Sequence, residues 1–251
     1  MIEKQSYFIN AIDEQVEILI ASKMTSQMIR QPIAAKQHIT IIMDDCASAT
    51  LQVRIEQQLD VCDYQYHIFM HQKSSLQMNI VLITHAVAHI KIFVHLLGQN
   101  SCVDVTGAYV LLQSAQCYIS TLQKHQAIAS QSKIILKGFL KDHAIAQVDG
   151  LIFVDSHAKK TYALQENKNL IVSAHATVKT IPSIEVLNND VQCFHGAATA
   201  SYQKEHTWYL ATKGFDSFQA NSILVYSFFY DVVQGCKDNQ SIMELICKKI
   251  M

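Results

Sequence analysis

Between about residue 38 and residue 200, ten short runs rich in β-branched and large apolar residues follow one another: HITIIM, LQVRI, YHIFM, MNIVLI, AHIKIFVHLL, AYVLLQ, KIILKGFL, GLIFVD, NLIVSA and PSIEVL. Most have the length and make-up of strands. This succession narrows the possible folds sharply. A parallel sheet with crossover helices needs a helix-length amphipathic segment between strands, and none interrupts the series. A sandwich of hairpins needs tight turns built on Asn-Gly, Asp-Gly or Gly-Gly. The chain has only seven glycines, and Asp149-Gly150 is the one dipeptide of that kind. The remaining all-β solution is a solenoid of stacked coils.

A loose internal repeat supports the solenoid. FLKDHAIAQV, IFVDSHAKKTYAL and LIVSAHATVKTI each read as an apolar strand, a polar corner carrying His-Ala, and another alternating strand. The pairs His143-Ala144, His157-Ala158 and His175-Ala176 lie 14 and 18 residues apart (157 − 143 and 175 − 157). A strand–corner–strand unit is what stacked β-coils show, although this period is not fixed.

The flanks read differently. In AIDEQVEILIASKM, Ile12, Val16 and Ile20 recur at helical spacing behind Asp13 and Glu14, and Pro32 follows; this predicts an N-terminal helical segment over residues 1–35. After the β-core at 36–200, QKEHTWYLATKG predicts a helix stopped by Gly214. Asp216 or Ser217 then caps a second helix, with Phe218, Val225, Phe229 and Val232 along one side, and NQSIMELICKKIM closes the chain. Residues 201–251 thus form a C-terminal helical region too small and apolar to stand alone.

Composition sets the class. Half of the residues are hydrophobic and 16% are charged, which is ample for a core. The formal net charge is −1 with no long basic run, which argues against a nucleic-acid partner. Seven scattered cysteines without a Cys-x-x-Cys pair suit a reduced, cytoplasmic chain. The first residues lack the order of a signal peptide, and no apolar run reaches membrane-spanning length.

Few motifs carry chemistry. There is no phosphate-binding glycine loop and no Gly-x-Ser-x-Gly elbow, so any ATP is handled by another chain. THAVAH spaces His85 and His89 as a zinc helix does, but Ala86 replaces the glutamate that chemistry needs; the alternation AHIKIFVH instead predicts a strand with His89, Lys91 and His95 toward solvent. The segment DVQCFHGAATA is different. On an extended strand, Cys193 and His195 project to one side, about 6.5–7 Å apart along the chain. A thiolate beside an imidazole suits zinc or iron–sulfur chemistry. Two ligands are half of a closed site, however, and a small buried cysteine beside a surface histidine reads the same way.

From Lys137 to about Val233 the chain resembles the SufB/SufD scaffold proteins of iron–sulfur cluster assembly. The resemblance rests on Asn167-Lys168-Asn169-Leu170, Ser173, Ala176, Pro182, Glu185, Asp190-Val191, Cys193-x-His195-Gly196-Ala197 and the segment WYLATKGFD from Trp208 to Asp216. It points to the SufD branch: Val186 stands where SufB carries a cysteine after Ile-Glu, and Phe194-His195-Gly196-Ala197 where SufB favours Glu-His-Glu-Ala. Ser227 stands where the family often has a glycine before Phe228. The N-terminal helical segment is shorter than is usual in the family.

The resemblance implies a right-handed parallel β-helix with short helical regions at both ends. It implies a non-enzymatic scaffold that pairs with a SufB-like paralogue through its last coils, or with itself when alone, and docks a SufC-like ABC ATPase through Trp208, Tyr209, Phe215, Phe218, Phe228 and Phe229. His195, with Cys193 beside it, would contribute to an iron–sulfur cluster shared transiently at the partner interface, with no cofactor held stably by the isolated chain. The rival reading is a β-helix lyase or hydrolase acting on carbohydrate. It requires carboxylates gathered in a groove, and Asp142, Asp149, Asp155, Glu166 and Glu185 do not recur at one repeat position.

Overall fold

A computed structural model describes residues 4–9, 15–21, 25–30, 35–56, 60–201, 204–236 and 238–250, with backbone alone at 4–9, 25–30 and 204. The chain is a parallel β-solenoid followed by helices. Successive strands alternate between two sheets, so each coil spends one strand in each. One sheet holds β1 (Lys4–Ile9), β3 (Thr25–Arg30), β5 (Ser48–Glu56), β7 (Ser75–Thr84), β9 (Cys102–Leu111), β11 (Gln131–Leu140), β13 (Thr161–Ile171) and β15 (Val191–Ser201). The other holds β2 (Gln15–Ile20), β4 (Lys36–Met43), β6 (Val61–Met70), β8 (Val87–Leu96), β10 (Gln116–His125), β12 (Ile145–Val154) and β14 (Thr177–Val186). All described pairings are parallel and in register along the stack.

The N-terminal helix is corrected. Gln15–Ile20 is a strand paired with β4, with Ile18 and Ile20 buried and Glu17 and Leu19 exposed. Lys4–Ile9 and Thr25–Arg30 are strands as well, so coils begin before residue 36. Ile12 and Asp13 lie outside the described residues. Val16, Ile18 and Ile20 fit a period of two as well as Ile12, Val16 and Ile20 fit a helix, and pairing with β4 decided between them.

Alternation fills the lumen. Ile39, Ile41 and Met43 on β4 and Leu51, Val53 and Ile55 on β5 are all at most 2% exposed, and the same inward rows repeat upward through Tyr66, Ile68, Met78, Val94 and Val105. Glycine is used where the lumen is crowded. A Cβ on Gly138 would lie 2.2 Å from the ring of Tyr109, so the small residue makes room for the large one on the neighbouring strand.

The corners replace hairpin turns. Cys46, Lys73, Asn100, Ala129 and Lys160 all have φ between 54° and 58° and stand where the chain passes from the seven-stranded to the eight-stranded sheet. Their spacings of 27, 27, 29 and 31 residues (73 − 46, 100 − 73, 129 − 100, 160 − 129) give the length of one coil. Each donates its backbone N–H to a carbonyl one coil further on: Cys46 to Gln72, Lys73 to Gln99, Asn100 to Ile128, Ala129 to Lys159 and Lys160 to Asp190. The uneven His-Ala spacing is thereby explained. His143 and His175 occupy the same corner one coil apart, their rings stacked at 4.9 Å, while His157 belongs to the opposite corner.

A left-handed conformation strains a residue with a Cβ by about 1–2 kcal/mol, while glycine gives back part of that through its freer unfolded chain. Ala129→Gly is therefore expected to raise stability by about 0.5 kcal/mol, read as a shift of the denaturant midpoint at constant slope. A lowered midpoint would show that the corner is not strained.

After β15 come α1 (Lys204–Thr212), α2 (Ser217–Val233) and α3 (Asn239–Ile250). Asp216 caps α2 in a reciprocal box: its side chain accepts from the backbone of Gln219, whose own side chain accepts from the backbone of Asp216. The outer face of the eight-stranded sheet is apolar at Val81, Ile83, Ala108, Val110 and Phe139, and α2 and α3 cover it with Val225, Phe229, Val232, Ile242, Met243 and Ile246. Lys137, 7% exposed, fastens α2 by donating to the carbonyl of Phe228 at 2.7 Å and to Asp231 at 2.6 Å.

Candidate functional site

The candidate site is the last coil. The inward row of β13 is Ala163, Gln165, Asn167 and Asn169, each at most 5% exposed. The ladder places these residues beside Cys193, His195, Ala197 and Thr199 of β15. Cys193 and His195 therefore share the luminal side of the final rung, as their spacing predicts. Phe194 points outward, 52% exposed, with its ring 6.2 Å from that of Tyr162. The two candidate ligands differ in setting. Cys193 is half-buried against Ile152, Val154, Ala158 and Ala163, and this burial pushes its thiol pKa up. His195 is exposed at the rim.

Beneath this rung the lumen changes character. The lower coils are filled mainly with apolar side chains, whereas the upper ones hold two hydrogen-bonded sets of buried polar groups. His125 is flanked by Ser130 Oγ at 2.8 Å on Nδ1 and Ser132 Oγ at 2.7 Å on Nε2. Ser132 donates to Gln123 Oε1 at 2.5 Å, and Gln123 Nε2 donates to Gln165 Oε1 at 3.3 Å. On the other side Tyr109 donates to Asn169, Asn169 to Asn167 at 2.7 Å, and Thr180 to Asn167 at 3.1 Å. Of these residues the sequence singles out only Asn167 and Asn169, through the family resemblance, although QENKN is polar at every position, so whichever face turns inward must bury amides.

The luminal side of the end coil can supply one soft and one borderline donor. Among the described residues no three His, Cys, Asp or Glu side chains come together to hold a metal. His89 stands on the outer side of β8 and stacks on Tyr118 at 4.9 Å, so His85 and His89 form no zinc helix.

The aromatic set splits. Trp208, Tyr209, Phe215 and Phe218 are 73%, 60%, 39% and 62% exposed, and Phe228 is half-buried. Phe229 is fully buried in the seam between α2 and the sheet, so it is a core residue rather than part of a free surface. Phe218 lies on the same side of α2 as Val225 and Phe229 by spacing, but in the first turn of the helix it is exposed.

The family profile described as SUF system FeS cluster assembly, SufBD core domain, matches residues 9–228. The chain belongs to the SufBD family. It is 28% identical to the iron–sulfur cluster assembly protein SufD of Escherichia coli over 141 residues, which is 56% of this chain and 33% of that protein. It is 28% identical to SufD of Bacillus subtilis over 109 residues, 43% of this chain and 25% of that one. A SufBD family protein of Mycobacterium tuberculosis is 23% identical over 209 residues, 78% of this chain and 52% of that protein. This SufBD chain therefore spans from about a quarter to about half of the length of the relatives it matches.

Three carboxylates of the carbohydrate-enzyme reading serve other ends. Asp142 accepts from the corner N–H of Gln113, and Glu166 pairs with Lys168 at 2.8 Å. Asp155 accepts from the N–H of His157, which holds its carboxyl below the usual range, the reverse of what a general acid needs.

Proposed function

We propose that this SufBD chain is a non-catalytic scaffold subunit, similar to SufD, whose terminal coil forms one side of a site where a nascent iron–sulfur cluster is assembled. The observation that carries the reading is the placement of Cys193 and His195 on the luminal side of the last rung, at an uncapped end. Among the described residues β15 pairs with β13 alone and β14 with β12 alone, so each presents an edge of backbone groups that can serve as a template for another chain. Ile181, Ile184, Leu187 and Phe194 are exposed around it. A SufB-like paralogue is the expected occupant, and it would supply the remaining ligands. The cluster is cargo, held only while both chains are present. Seven free cysteines suit a reducing cytosol, and among the described residues no helix is long and apolar enough to cross a membrane.

The helical end fits a second partner. Trp208, Tyr209, Phe215 and Phe218 leave an aromatic surface of the kind that anchors protein interfaces. A SufC-like ABC ATPase is the proposed occupant, which agrees with the absence of any phosphate loop from this chain.

Co-expression with SufB-like and SufC-like chains of the same genome tests the reading. A ternary complex is expected, with iron–sulfur absorbance present only when the SufB-like chain is included. Trp208→Ala with Phe218→Ala is expected to weaken retention of the ATPase by about 30-fold, the effect of losing about 2 kcal/mol from an aromatic anchor. A chain that stays alone, or assembles only with itself, would overturn the scaffold reading.

A further inference from the structure

Gln165 lies directly below His195 on the ladder, and its side chain runs across the lumen rather than along its own strand. The opposite wall shows this. A Cβ built on Gly150 of β12 would fall 1.4 Å from Gln165 Nε2 and 2.4 Å from its Cδ. The amide thus occupies the space that any other residue at 150 would fill. It is fixed at its oxygen by Gln123 Nε2 at 3.3 Å, and Gln123 is fixed in turn by the hydroxyl of Ser132. Gln165 is 5% exposed, whereas the next residue up the same row, His195, is exposed.

We propose that Gln165 is a positioning residue: its amide forms a floor across the lumen that keeps the imidazole of His195 at the rim. The inference rests on the reading of His195 given above and deepens it. The physical reason is room. Below Gln165 in this inward row Ile134, Val105, Met78 and Leu51 are all buried, because the rung above covers each. A histidine on the last rung would also gain by folding its ring down into the lumen, away from a partner chain, if there were space. With Gln165 spanning from β13 to Gly150 there is none. Gly150 and Gln165 act as a pair, the glycine giving the amide passage and the amide closing the lumen. Ala163 on the same strand lets Cys193 settle inward by contrast, which matches the half-burial of the cysteine.

The test uses the isolated chain and diethyl pyrocarbonate, an imidazole-modifying reagent, with modification followed residue by residue by mass spectrometry. In Gln165→Ala the floor is removed, and His195 is expected to react at least about threefold more slowly as its ring drops inward. His157 and His175 at the corners, exposed in the parent, are expected to react at parent rates. Gln165→Met refills the lumen with a chain of similar length and is expected to restore the rate at His195. If Gln165→Ala does not fold, Gln165→Asn, one methylene shorter, serves in its place with the same direction of change. An unchanged rate at His195 in the folded Ala or Asn variant, or slowing that Met does not reverse, overturns the proposal. This outcome is independent of the scaffold reading, which stands or falls with cluster yield in the complex.

Discussion

Lowering the pH from 7 to about 4.5 is expected to remove about 2.5 kcal/mol of stability through one side chain, His125. Its ring is fully buried, and both ring nitrogens face serine hydroxyls instead of a carboxylate. Burial pushes its pKa down from 6.5 to about 4. The sign follows from proton counting. Between those two values the unfolded chain binds a proton that the native chain refuses, so stability is fully present above about pH 6.5 and is lost as pH falls toward 4. At about 1.4 kcal/mol per pH unit, the roughly two units crossed between 6.5 and 4.5 account for about 2.5 kcal/mol. His67 and His95, on the outer face of the seven-stranded sheet, are depressed by partial burial and by neighbouring histidine and lysine, and they act in the same direction more weakly. Denaturant unfolding of the parent and of His125→Gln at steps between pH 7.5 and 4.5 isolates the effect. The difference between the two proteins should shrink as the pH falls, because only the parent carries the buried imidazole. Parallel losses in both would assign the acid sensitivity to other groups.

What the sequence made legible, and what it hid, follows one physical distinction. Strands whose inward row is aliphatic declare themselves, as in β4, β8 and β12. β10 was missed because its inward row runs Cys117, Ile119, Thr121, Gln123 and His125, which has no hydrophobic alternation to detect. The period was blurred for a different reason. His-Ala marks both corners of a coil, so the eye counts half-coils of unequal length, while the true repeat sits in backbone conformation at Cys46, Lys73, Asn100, Ala129 and Lys160. These positions share no one residue type, and the small residue after each (Ala47, Ser74, Ser101, Ser130 and Thr161) is a weak signal that becomes visible only once the coil length is known. The candidate site was legible because strand parity alone puts Cys193 and His195 on one side. Which side, and that it opens at an uncapped end, depends on pairing with β13, which is a long-range fact. Phe229 shows the same limit in reverse: an aromatic in an apolar helix reads as available surface until the sheet that covers it is known.

His195→Ala is expected to leave folding intact and to remove most of the cluster-forming capacity of the co-expressed complex. The two halves of this expectation have separate grounds. The imidazole is exposed at the end of the stack, and among the described residues no strand pairs above it; substitutions at such positions usually change stability by about 0.5 kcal/mol or less. As a proposed ligand it is worth far more to assembly. Even residues that only orient a metal ligand typically cost 10–100-fold when removed, so loss of the ligand itself is expected to lower cluster yield by at least about tenfold. Cys193→Ser separates the same two roles less cleanly, because its thiol packs on Ile152, Val154, Ala158 and Ala163. Placing a hydroxyl there is expected to cost about 1 kcal/mol in stability, with whatever loss of yield follows from the missing sulfur. Thermal unfolding of each variant chain, read beside the iron–sulfur absorbance per folded complex, distinguishes the roles. A His195→Ala chain of parent stability and depleted absorbance supports the shared site. A destabilised chain whose folded fraction still yields the normal absorbance would make His195 a structural residue, and the Cys193–His195 pair an ordinary feature of a strand at the end of a solenoid.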